Sequence, residues 1–124
     1  MSMIDSAFDQ ALGRFLDLTV FRQGLITSNL ANIDTPGYRT RDVNFSQELD
    51  RADRGDGDLD FAVFAPVVRQ VRGLAERPDG NNVSLERETL LLAESQLRFN
   101  LGIQLLRDDF HSLSAAIHEG STSS

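Results

Sequence analysis

The sequence predicts a mainly α chain in which two long helices, one N-terminal and one C-terminal, form a coiled-coil-like pair around a short irregular, β-containing middle segment. Three observations predict it. Apolar residues recur at alternating four- and three-residue steps near the start of the chain. They recur in sevens near its end, and both spacings line one side of a helix. Between these stretches the periodicity is lost, and charged residues and glycines surround isolated apolar ones. The chain divides accordingly into an N-terminal helix within 1–33, a turn, loop and short extended segment over 34–82, a C-terminal helix over 83–118 and a disordered tail at 119–124.

The first helix is expected over residues 3–32, with Ser2 as its cap and Asp5 three residues later, close to a capping-box arrangement. Ile4, Phe8, Ala11, Phe15, Leu18 and Leu25 form one seam, which Arg22 interrupts. A second seam of Leu12, Leu16, Thr19 or Val20, Gln23, Ile26 and Leu30 lies on a neighbouring face, so the helix is apolar over more of its circumference than a simple surface helix. Gly13 and Gly24 each cost about 1 kcal/mol relative to alanine, tolerable where a neighbouring backbone packs closely.

The helix stops at Asn29-Leu30-Ala31-Asn32-Ile33-Asp34-Thr35-Pro36-Gly37-Tyr38. Thr35-Pro36-Gly37-Tyr38 fits a type II turn, because Pro36 presets the backbone at the second position and Gly37 accepts the positive φ needed at the third. Asp34 and Thr35 can bond nearby backbone groups, while Asn29 and Asn32 can satisfy carbonyls or amides where the helix frays.

From 39 to 50 polar residues separate Val43, Phe45 and Leu49, consistent with a short helical turn. The glycine- and charge-dense stretch over 51–60 reads as a mobile loop. Residues 61–74, richer in valine and phenylalanine, suggest one or two extended segments or a hairpin before Arg77-Pro78-Asp79-Gly80 turns the chain again.

The second helix begins near Ser84 as cap, with Glu86 and Glu88 in its first turn, where acids complement the helix dipole. Leu85, Leu92, Phe99, Leu106 and Leu113 fall on one heptad position, and Thr89, Gln96, Ile103, Phe110 and Ile117 on the other. Leu90, Ala93, Leu97, Leu101 and Leu105 add a second apolar line. Pairing two helices covers one seam on each and leaves the other lines open. Periodicity alone fits either a compact helical core or packing between subunits.

The formal net charge is −7, from 19 acidic residues against 12 basic ones, every one of them arginine. That balance disfavours nucleic acid and anionic membranes. There is no cysteine, hence no disulfide framework or thiolate chemistry. No run approaches the ~20 apolar residues of a membrane span, and the N-terminus lacks the basic and apolar regions of a cleaved signal.

Several short patterns carry no function. Asp56, Asp58 and Asp60 resemble the start of a calcium loop, but Phe61 stands where glycine is needed and Val67 where a bidentate glutamate is needed. Arg54-Gly55-Asp56 matches an adhesion tripeptide, and Asn44-Phe45-Ser46 and Asn82-Val83-Ser84 match the glycosylation pattern, each without supporting context. His111 and His118 have no carboxylate or third ligand spaced to complete a metal site, and no serine sits in a nucleophile elbow. No catalytic role or cofactor is expected.

The Asn29 to Tyr38 residues quoted above, followed by Arg39 and then Phe45, resemble the N-terminal signature of flagellar axial proteins, and Asp34 in place of asparagine points to the FlgB family of proximal rod proteins. A second block agrees: Asp79-Gly80-Asn81-Asn82-Val83 enters a leucine-rich helix ending Leu113-Ser114-Ala115-Ala116-Ile117. The resemblance implies a structural subunit of the basal-body rod that transmits torque for motility. It also implies assembly through the terminal helices as a homo-oligomer beside other rod proteins, the adaptor FliE and the MS-ring or export-gate end. The location implied is the periplasmic rod, reached through the flagellar export apparatus without a cleaved signal. Tyr38 would be a packing anchor and Arg39 or Arg41 polar contacts. The alternative from another class is a soluble helical adaptor or export chaperone.

Overall fold

The computed structural model describes residues 3–54 and 65–122. Among them the order of elements is helix α1 (Met3–Ala31), strand β1 (Arg41–Asp42), helix α2 (Phe45–Asp53), strand β2 (Arg69–Gln70) and helix α3 (Leu85–Thr122). The mainly helical architecture with two long terminal helices and a small β element in the middle is the expected one. The four residues after 118 that were expected in a disordered tail continue α3 as far as Thr122.

Helices α1 and α3 lie antiparallel. Asn29 near the end of α1 bonds Glu88 near the start of α3, Gln23 reaches Gln96, and Leu16 meets Gly102. The residues of α3 buried in this contact are not its leucines. Glu88, Ser95 and Gly102, seven residues apart, are buried, and small side chains at 95 and 102 let the helix axes approach. A β-carbon on Gly102 would lie 2.5 Å from Leu16 Cδ2. Nothing lies within 4 Å of a β-carbon at Gly13 or Gly24, so no close neighbour offsets their cost and they are weak points of α1.

Asn44 caps α2 by accepting the Gln47 amide through its side chain, so one suspected glycosylation asparagine is a helix cap. Arg51 and Asp53, expected within a loop, belong to this helix; residues 55–64 of that loop lie outside the described residues. The core forms where α2 crosses α1: Leu18, Val43 and Phe45 are buried, with Phe15, Phe21, Leu25 and Leu49 packed around them. Phe15 and Phe45 meet edge to face at 5.6 Å, and Arg98 of α3 places its guanidinium 4.4 Å from the Phe45 ring centre, a favourable cation–π geometry. The buried Glu48 carboxylate accepts bonds from Arg51 and the Val67 amide, tying the chain beyond residue 64 to α2.

Strand β2 pairs antiparallel with β1, Arg41 opposite Gln70 and Asp42 opposite Arg69. Of the extended segments or hairpin expected over 61–74, the described part holds one short strand, which pairs with the segment leaving the turn after α1. The reason lies in Thr40, whose carbonyl accepts the Val71 amide while its own amide is taken by Asn82.

Candidate assembly site

Three clusters define the site: a double turn at the end of α1, an ionic centre beneath it, and an apolar surface along α3.

The double turn joins residues 34–38 to 79–83. Gly37 has φ +74° and Tyr38 donates its amide to the Thr35 carbonyl, as a type II turn requires. Gly80 has φ +87°, and its missing β-carbon would sit 3.4 Å from the Gly37 α-carbon. Around this backbone contact the Gly37 amide donates to the Asp79 carbonyl and the Asn82 amide to the Tyr38 carbonyl. Asn81 is fully buried; its side-chain amide donates to the carbonyls of Asn32 and Thr35, at 2.9 and 2.8 Å, and its oxygen accepts the Val83 amide. Asn82 receives the Thr40 amide at 2.7 Å. Arg77 donates to the carbonyls of Ile33 and Val83. The last carbonyls of α1 are satisfied locally, Ser28 and Asn29 by the Asn32 amide and Leu30 by the Ile33 amide, while the carbonyls just past the helix end, of Asn32, Ile33 and Thr35, are bonded by residues more than forty positions away.

Of the motif residues, Asn29 has the central place. Its side chain is buried, donating to the Arg41 carbonyl and Glu88 and accepting from the Arg41 amide and the Tyr38 hydroxyl. Asn32 donates back to the Ser28 carbonyl and accepts from the Thr35 hydroxyl. Leu30 is half-buried, while Ala31, Asp34, Thr35, Pro36 and Gly37 are exposed. Arg39 bonds the Gly80 carbonyl and pairs with Glu76; Arg41 contributes its backbone.

The ionic centre lies under Asn29. Asp42 accepts two bonds from Arg22, each at 3.0 Å, and one from Arg87 at 2.9 Å. Arg87 also binds Glu88 at 2.7 Å, and Glu88 closes the chain onto Asn29. Burial alone would raise the Asp42 carboxyl, but bonds from Arg22, the Val43 amide and Arg87 outweigh it and hold it below the ordinary value of 3.8. This joins α1, β1 and α3. Spacing alone does not assign these roles, because in the sequence Arg22 only interrupts an apolar seam and Glu88 only complements the helix dipole. The signal was present in Arg22 itself, a charge set inside an apolar stripe and therefore in need of a partner.

The expected packing residues separate into two groups. Leu18 is buried, and Phe15 and Leu25 pack against it; Phe99 and Ile103 are half-buried. Phe8, Leu85, Leu92, Leu106, Phe110 and Ile117 are exposed, and the side chain of Leu113 lies outside the described residues. The second line of α3 is also open, with Leu90 and Leu97 both 69% exposed and Leu101 55%. Between residues 104 and 117 no described side chain is buried.

The family profile described as "Flagella basal body rod protein" matches residues 22–39, the end of α1 and its turn. The flagellar basal body rod protein FlgB of Salmonella typhimurium is 30% identical, with 85% of this chain and 88% of that protein aligned. The chain belongs to the FlgB family. The FlgB of Cereibacter sphaeroides is 37% identical over 77% of this chain and 82% of its own, and that of Aeromonas hydrophila 30% over 90% and 95%. As a FlgB-family protein the chain is a structural subunit of the flagellar basal-body rod, and the soluble adaptor or export chaperone is not favoured. The double turn is where both sequence blocks of the resemblance meet.

Proposed function

We propose that this chain builds the proximal rod by packing the open apolar face of α3 and the outer face of α1 against copies of itself and other rod proteins. The single observation that supports this is the line Leu90, Leu97 and Leu101 on a well-formed helix, more than half exposed at each position. Large apolar surface of that continuity is covered in a working assembly, and each fully buried leucine contributes about 1.5–3 kcal/mol. The double turn and ionic centre hold the two helices as one strut, so load on the rod passes along paired helices rather than through a hinge. By the same reading the FliE adaptor and the MS-ring or export-gate end lie next to it in the periplasmic rod, and export needs no cleaved signal. The stretch of α3 from 104 to 117, with no described side chain buried, becomes covered on incorporation.

An epitope-tagged copy expressed in a strain lacking the gene tests this. Label at the membrane-proximal rod of purified basal bodies, with swimming restored, is expected. A tag confined to the cytoplasm beside intact rods would overturn the proposal.

A further inference from the structure

We propose that the cleft beside β2 docks an acidic, extended segment of a neighbouring protein subunit, a contact separate from the helix packing. The proposal rests on the assembly reading only for the neighbour's being a subunit. The cleft, about 860 Å³, is bordered by Arg39, Arg69 and Arg72 against a single acid, Glu76, with Val71 and Leu74 between them. Its volume suits a stretch of peptide rather than one ion.

Two further observations point to its occupant. Arg39 is paired with Glu76 at 3.3 Å, but Arg69 and Arg72 bond no carboxylate among the described residues. Two uncommitted arginines at one cleft in a chain of net charge −7 are complementary to carboxylates from outside it. In addition, among the described residues β2 has one ladder partner, β1, and both its residues are exposed with Val67 and Val68, each 40% exposed, just before it. An incoming strand can pair with such an edge through its backbone while alternate side chains, about 7 Å apart, face one side. Carboxylates on the side facing the cleft meet the arginines that border it.

The test uses the full chain and a fluorescein-labelled peptide of alternating aspartate and glycine, followed by anisotropy at low salt. Saturable binding is expected, weakened at least roughly tenfold in Arg69→Glu/Arg72→Glu and in the milder Arg72→Gln to a lesser degree, with circular dichroism unchanged. Arg107→Glu, the same change of charge on the exposed face of α3, is expected to leave affinity as it is. Equal loss in Arg107→Glu, undiminished binding in the cleft variants, or displacement of the peptide by inorganic phosphate at equal concentration would each overturn the proposal. Binding is read on purified protein, so its failure leaves the rod reading standing, and failure of the tagged copy to enter basal bodies leaves the cleft standing.

Discussion

The α-carbon of Gly37 lies 3.4 Å from where a β-carbon on Gly80 would be, so two turns separated by forty-three positions share one backbone contact. Both glycines take positive φ, which other residues adopt at a cost of roughly 1–2 kcal/mol. Gly80→Ala is expected to lower unfolding stability by about that amount, and Gly80→Asn by less, because asparagine tolerates this region better. Denaturant midpoints of the two variants check the order.

Asn81→Asp is expected to be as damaging as Asn81→Ala. Either change leaves the Asn32 and Thr35 carbonyls without their donor, at about 1 kcal/mol for each bond lost in this part-buried turn. Aspartate keeps the acceptor for Val83 but turns an oxygen toward two carbonyls. Thermal unfolding of both variants tests this.

Asp42 makes stability depend on acid. Its folded value lies below its ordinary 3.8, so its contribution is fully present above about pH 4 and is lost as pH falls through the lower folded value. Asp42→Asn is expected to be less stable than the native chain at neutral pH, with the difference shrinking below pH ~4. Urea unfolding of both proteins over that range is the check.

Gly102→Val is expected to force α1 and α3 apart at Leu16, with an overpacking cost of roughly 1–3 kcal/mol. Leu16→Ala should recover part of that loss in the double variant, since the two positions share the same space.

What the sequence made legible follows from periodicity and turn chemistry. Helix α1 and the turn at Pro36-Gly37 were readable because spacing and residue type dictate them locally, and Ser84 was readable as the cap of α3, where its hydroxyl accepts the Arg87 amide. The contact face of α3 was not. Heptads of leucine suggest the inner seam, but Glu88, Ser95 and Gly102 are buried there, because a buried glutamate becomes favourable only once Asn29 and Arg87 are brought to it. The pairing of Arg41 with Gln70 was likewise hidden, since two-residue strands have no period. Asn81 and Asn82 belonged to a quoted block, yet their role as caps for distant backbone depends on the completed fold.

The central claim is that the outer line of α3 is an assembly surface and not part of a monomer core. Leu97→Glu/Leu101→Glu in a complementing copy tests it most directly, with incorporation into purified basal bodies measured beside the circular dichroism and thermal midpoint of the purified variant. A protein folded as before that is absent from the rod and fails to restore swimming is expected. Normal incorporation and motility, or unfolding of the isolated chain, would contradict it.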